Sequence, residues 1–288
     1  MKVRAQCAPC LLNRVLYETR LVNPALEGEV IDACMTKMCE LWDPDETSTE
    51  LAVKVHRLAY DILGTDDPYA RVKAVSNKVA LDLLPKARAK VAKSKDRLRE
   101  SVLAAIIGNV LDFGIRSAVD DPEQLKAKFD ALWAEGLHRD DTKKLARHLR
   151  KGARIVYLAD NCGEIIFDTI LLDELRRRGA HVTLVVRGKK VLTDATMDDV
   201  KALGIGIHAD AMATTEKFAV GLPTKPMPKR LREMLEGADL IVSKGMGNYE
   251  ALSEQGFRPI IYLMRTKCRP VAESVGEPLD KNVAKMFG

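Results

Sequence analysis

The chain is short of aromatic residues: Phe, Trp and Tyr make up 5% of it. So few rings offer little on which to stack the bases of a single strand, and nucleic acid is excluded as a partner. Long blocks of one charge are also missing. The net charge is +5, and Lys and Arg alternate with Asp and Glu in the manner of a solvated surface. No apolar run approaches the roughly 20 residues of a membrane-spanning helix. The opening MKVRAQCAPCLLNRV carries no long apolar stretch of the signal-peptide kind. A cytoplasmic protein with no membrane partner is the expectation. Nucleotide signatures are absent too: there is no GxxxxGK[ST] loop, and no GxGxxG follows the first expected strand. A hydride-transferring dehydrogenase is disfavoured. The histidines His56, His138, His148, His181 and His208 show neither HxxxH nor HxH spacing, and only His208, at the end of an expected strand, invites a test.

What is present suits an enzyme. With 288 residues, 47% hydrophobic and 30% charged, the chain can fill one large or two modest cores. From Ala8 to about Asp120 apolar residues recur every three or four positions, as in Leu12, Val15, Leu16 and Thr19, or Val79, Leu81 and Leu84. Asn23-Pro24, Asp43-Pro44 and Asp67-Pro68 mark helix boundaries there. Past Gly152 the pattern changes. Strands are predicted at Arg154–Ala159, His181–Val186, Ile205–His208, Leu240–Val242 and Pro259–Leu263, with a helix over Ile165–Arg178 closed by Gly179. Strands alternating with helices imply βαβ units and a mostly parallel sheet. The fold class is therefore α/β: a mainly helical region over 1–150, then a Rossmann-like domain over 151–288.

Ligands of such sheets bind beyond the carboxyl ends of the strands. Four strand ends deliver polar residues there: Asp160, Asn161, Cys162, Gly163 and Glu164; then Arg187 with Asp194; then Lys244, Gly245, Gly247 and Asn248; and last Lys267. Oxygen ligands from Asp160, Asn161 and Asp194 suit a divalent cation, and lysines beside glycine-exposed backbone suit a phosphate. Asp160-Asn161 and Asp194 also read as a turn and helix caps. Convergence of all four ends on one rim favours a site.

These residues resemble a known family. DNCGEIIFD (160–168), VRGKKVLTDAT (186–196), KGMGNYE (244–250), GNVLDFG (108–114) and RTKCRPVA (265–272) look like the motifs of the damage-control phosphatases. This is the metal-dependent, ARMT-like family formerly called domain of unknown function 89, and CAPC at Cys7 and Cys10 resembles its CxxC-bearing microbial subgroup. The resemblance implies that Asp160, Asn161 and Asp194 hold a divalent ion (Mn, Ni, Co or Mg). It further implies that Lys244, Gly245, Asn248 and Lys267 contact the substrate phosphate. Gly247, Glu164, Arg187 and Asn109 are further substrate-binding candidates, and Asn109 and Asp112 also read as capping residues. The implied partner is a small phosphorylated metabolite, a damaged or side-product sugar phosphate or nucleotide, hydrolysed as a phosphate monoester.

The sequence departs from the family at two places: Lys190 and Thr193 replace a proline and an asparagine, and Phe218 stands where an acid is expected. Asp210 is a candidate replacement for that acid. Cys7 and Cys10, alone or with Cys34 and Cys39, could be structural metal ligands, free or packed thiols, or a redox pair; they are remote in sequence from the catalytic rim, and activity is expected to survive their replacement. Cys162 is a nucleophile or a bystander. Two other functions stay open: an S-adenosylmethionine-dependent carboxyl methyltransferase, which would want a glycine-rich loop after the first strand, and a non-catalytic phosphate- or metal-binding protein.

Overall fold

The computed structural model describes residues 1–109 and 122–288, so Asp112 and most of the 108–114 motif lie outside the described residues. Helices α1 (Cys7–Val22), α2 (Glu27–Leu41) and α3 (Ser48–Leu63) come first, then α4 (Ala70–Lys93), α5 (Arg97–Gly108) and α6 (Pro122–Glu135). The α/β part runs β1 (Arg139–Asp140), α7 (Thr142–His148), β2 (Arg154–Leu158), α8 (Glu164–Arg177), β3 (His181–Val186), α9 (Met197–Ala202) and β4 (Ala211–Thr214). It ends with α10 (Lys229–Glu236), β5 (Leu240–Lys244), α11 (Gly245–Leu252), β6 (Ile260–Arg265), α12 (Arg269–Val275) and β7 (Asn282–Phe287).

The sheet order is β1-β7-β6-β5-β2-β3-β4, parallel except where β7 runs against β6. From β2 the chain builds outward through β3 and β4, then crosses back to add β5 and β6 on the other side. The switch point therefore lies between the carboxyl ends of β2 and β5, which bear Asp160 and Gly245. These central strands are buried on both faces, which is why they read as unbroken apolar runs. One face packs on α4, α5, α6 and α8 through Leu83, Ile107, Phe129, Phe167 and Leu171. The other packs on α10, α11 and α12 through Leu235, Tyr249 and Val271. Helices α1 to α3 bury a cluster of their own, with Leu11, Val15, Val30, Leu51 and Val55 at its centre. Thr47 caps α3 by accepting from the Glu50 N–H, and Gly64, left-handed at φ 64°, ends it.

One expected strand is absent. Ile205–His208 is a 3₁₀ turn, and the strand lies just beyond it at Ala211–Thr214. The apolar alternation of IGIH imitates a strand, but Ile207 is 77% exposed and Gly204 has already turned the chain left-handed at φ 65°. Pairing with β3 begins only after Asp210, whose carboxylate accepts from the Val182 N–H at 2.8 Å. The short β1 and the antiparallel β7 carried no expectation; β7 lies in the last residues of the chain, past α12.

Candidate active site

The loops after β2 and β3 pair with each other beyond the sheet. The Ala195 N–H donates to the Asp160 carbonyl at 2.8 Å, the Cys162 N–H donates to the Thr193 carbonyl at 2.8 Å, and Asn161 and Asp194 form a bridge pair. This miniature ladder sets Asp160, Asn161 and Asp194 side by side. Arg187, 1% exposed, spans the two acids: its Nη2 donates to Asp160 Oδ1 at 3.3 Å and its Nε to Asp194 Oδ2. Asp160 Oδ2 also accepts from Asn161 Nδ2 at 2.8 Å and Asn109 Nδ2 at 3.1 Å. The Thr193 hydroxyl donates to Asn161 Oδ1 at 2.7 Å, so the replacement of an expected asparagine still orients the neighbouring amide. Gly245 is required here on two counts: its φ is +74°, and a Cβ would stand 1.8 Å from Asp160 Oδ2.

Beneath this floor is a second charged layer. Glu164 Oε2 accepts from Asn109 Nδ2 at 2.9 Å and Asn161 Nδ2 at 3.2 Å, while Oε1 receives the Lys244 ammonium. Lys244 also donates to Asp168 Oδ1 at 2.7 Å and the Ala105 carbonyl at 2.9 Å. It is 0% exposed. Burial works against its charge, but Asp168 and Glu164 outweigh that and hold its pKa above the ordinary lysine value. Burial pushes Asp168 the other way for a carboxyl, up to about 6, against the pull of Lys244. The lysine expected at the phosphate is thus placed under the floor, with its three donors spent inside the protein. Asn248 donates to the Ala159 and Lys244 carbonyls at 3.1 and 2.7 Å and ties α11 to the end of β2. Glu164, Arg187, Lys244 and Asn248 do not reach the cavity wall.

The residues that do reach it are Asn109, Asp160, Asn161, Asp194, Gly247 and Lys267, all on one cavity. Its roof comes from the other end of the sequence. Cys7, Cys10 and Arg14 on α1, and Ser48, Thr49 and His56 on α3, line the same space. The two thiols, remote from the rim in sequence, line the same cavity. Sequence distance hid this, because α1 folds back over the carboxyl edge of the sheet. Cys34 is buried among α1 to α3 and Cys39 is exposed, so the four-thiolate arrangement is not formed; among the described residues no group of three or more His, Cys, Asp or Glu side chains could hold a metal. Burial raises the Cys7 and Cys162 thiols and pushes Cys268 up to about 12, with Glu250, Cys10 and Cys7 adding to the last. Thiols held protonated in this way are poor nucleophiles.

Sequence reasoning passed over His56. Its Nδ1 lies 2.9 Å from Glu18 Oε1, with both side chains buried. The available signal was faint: Thr49, Ala52 and His56 recur at three- and four-residue spacing, a mixed stripe beside the apolar one of α3. Phe218 meets Tyr60 edge-on at 5.6 Å and lies 3.9 Å beneath the Arg57 guanidinium, packing against the roof. Asp210 does not replace the acid expected there, since it bonds Val182 and Arg176 at the amino end of β3, the far edge of the sheet. His208 pairs with Asp173 at 2.6 Å on the outer side of α8, away from the cavity.

Comparison with known proteins accords with this geometry. Residues 3–283 match the model of the damage-control phosphatase ARMT1-like domain. A damage-control phosphatase of Archaeoglobus fulgidus is 39% identical over 99% of both chains. A damage-control phosphatase of Pyrococcus horikoshii is 30% identical over 96% of each. The crystal structure of a DUF89 family protein from Pyrococcus horikoshii superposes with a TM-score of 0.89 at 27% identity, covering all of both chains. Among the described residues no helix is long and apolar enough to cross a membrane. The chain belongs to the damage-control phosphatase ARMT1-like family and is a phosphatase enzyme.

Proposed function

We propose that the protein hydrolyses phosphate monoesters of small metabolites, damaged or side-product sugar phosphates or nucleotides, with a divalent ion held by Asp160, Asn161 and Asp194. The observation that carries this reading is the meeting of those three side chains with Lys267 on one cavity wall. The donor set fits a hard divalent cation: two carboxylates and an amide oxygen, all buried, stand side by side. Within the floor Arg187 pairs with Asp160 and Asp194, and Lys244 pairs with Glu164 and Asp168. Such an ion, Mn, Ni, Co or Mg, supplies polarisation of a phosphoryl oxygen when bound.

The remaining work falls to the chain. Arg187 holds Asp160 and Asp194 in fixed orientation, and Asn109 fixes Asp160 from the α5 side. Lys267 offsets charge that builds on the equatorial oxygens as the ester bond breaks, and the backbone at Gly247, on the cavity lining, lets the phosphate approach closely. Lys244, Glu164 and Asn248 keep the floor rigid from below. Whether Asp160 also attacks phosphorus is open to a direct test by trapping an aspartyl-phosphate.

The deciding experiment is hydrolysis of p-nitrophenyl phosphate by metal-stripped protein, alone and after addition of Mn²⁺, Ni²⁺, Co²⁺ or Mg²⁺. Restored turnover with at least one ion is expected. No turnover with any ion, alongside retained phosphate binding, would favour a binding protein instead.

A further inference from the structure

The mechanism leaves a buried polar pair beside the cavity unused. Glu18 on α1 and His56 on α3 are 0% and 1% exposed in their side chains, and Nδ1 of the ring lies 2.9 Å from the carboxylate. A carboxylate partner calls for the proton on Nδ1, which fixes the ring's orientation. The other nitrogen, Nε2, is buried with no hydrogen-bond partner among the described residues. His56 lines the cavity and Glu18 does not, so the Nε2 edge is the one left for the cavity. A buried imidazole nitrogen is rarely left unsatisfied, and His56 belongs to the lining of the cavity.

We infer that His56, positioned by Glu18, is the specificity-determining contact for a hydroxyl on the alcohol part of the substrate. This rests on the phosphatase reading above and adds to it which esters are preferred. Nε2 offers a lone pair when the ring is neutral and an N–H when it is charged, and a hydroxyl answers either because it both donates and accepts. The surrounding wall has the same character: Ser48, Thr49 and Arg14 lie on the same two helices and line the same cavity. The phosphate end, at Asp160, Asn161, Asp194 and Lys267, belongs to the sheet-edge part of the same lining. A phosphate monoester bound across the cavity therefore presents its alcohol portion to α1 and α3. The ligand class that fits is a polyhydroxylated monoester, a phosphorylated sugar or polyol. A site that hydrogen-bonds a substrate hydroxyl discriminates strongly against analogues without one.

The test compares ribose 5-phosphate, a hexose 6-phosphate and glycerol 3-phosphate with p-nitrophenyl phosphate, using metal-loaded wild type, His56→Ala, His56→Gln and Glu18→Gln. His56→Ala is expected to raise KM for the best polyhydroxylated ester about 10- to 100-fold while kcat/KM for p-nitrophenyl phosphate stays within about threefold. His56→Gln, which keeps a donor and an acceptor, should recover part of the loss, and Glu18→Gln should give a smaller loss in the same direction. Equal losses on both ester types, or none on either, would overturn the inference while leaving the phosphatase reading standing. So would a wild type that cleaves p-nitrophenyl phosphate but none of the polyhydroxylated esters. A wild type that cleaves nothing would instead remove the phosphatase reading on which it rests. If His56→Ala fails to fold, His56→Gln and Glu18→Gln decide alone: loss confined to the hydroxylated esters supports the inference, and any other pattern overturns it.

Discussion

The floor and the roof of the cavity are built on different principles. The floor is assembled from short sequence motifs at strand ends, and its charged groups are locked to one another: Arg187 to two acids, Lys244 to two more, Asn109 to Asp160 and Glu164. The roof is an apolar helical cluster that carries a few polar groups, Arg14, Ser48, Thr49 and His56, along α1 and α3. Floor residues are over-determined, so their geometry serves any substrate with a phosphate. Roof residues are spaced along two helices, so the shape and polarity they present can change without disturbing the chemistry. On the function proposed above, the difference makes reaction type and substrate choice separable.

The comparison is broken most readily at the floor. Asp194→Ala should lower kcat/KM by roughly 10³-fold, because it removes one of the proposed ligands and the acid that orients Arg187. It should also lower the thermal midpoint, since the buried guanidinium loses a partner. Activity within tenfold of wild type would remove Asp194 from the site.

Lys244 and Lys267 sharpen the contrast between support and contact. Lys244→Ala leaves Glu164 and Asp168 without their cation and should cost about 3–5 kcal/mol in urea unfolding. Lys267→Ala should instead lower kcat/KM by roughly 10²-fold with a much smaller change in unfolding. If the two variants exchange these signatures, the placement of the lysines is reversed.

The roof should respond in KM. Cys7→Ser with Cys10→Ser alters the wall of the cavity, so KM should shift by a few-fold while kcat holds. A collapse of kcat would tie the thiols to the chemistry.

The smallest effect lies outside both regions. Burial raises the Glu174 carboxyl, but Arg177 and Arg178 outweigh it and hold the group below the usual glutamate range. A carboxyl lowered in the folded state stabilises above its unfolded pKa and loses that contribution as pH falls through the folded one. Glu174→Gln should therefore cost about 0.5–1 kcal/mol at pH 7, and the two proteins should converge as pH falls through the lowered carboxyl pKa of the folded state. Persistent separation in acid would show that packing, not charge, carries the effect.

The sequence by itself determined the α/β class, four of the core strands, and the rim that carries Asp160, Asn161, Asp194 and Lys267. The reason is local. Parallel strands buried on both faces must be apolar throughout, and polar residues immediately after them must emerge at one edge. Periodicity failed at Ile205–His208 because alternation cannot register that Gly204 and Asp210 delay pairing until Ala211. What only the tertiary structure decided is which way each side chain spends its hydrogen bonds and what stands opposite the rim. Lys244 and Lys267 both end strands, yet one is consumed below the floor by α5 and α8 and the other reaches the cavity. Cys7, Cys10 and His56 lie over a hundred residues from the motifs they face, and only the folding of α1 and α3 across the sheet edge, driven by burial of their shared apolar stripe, brings them there.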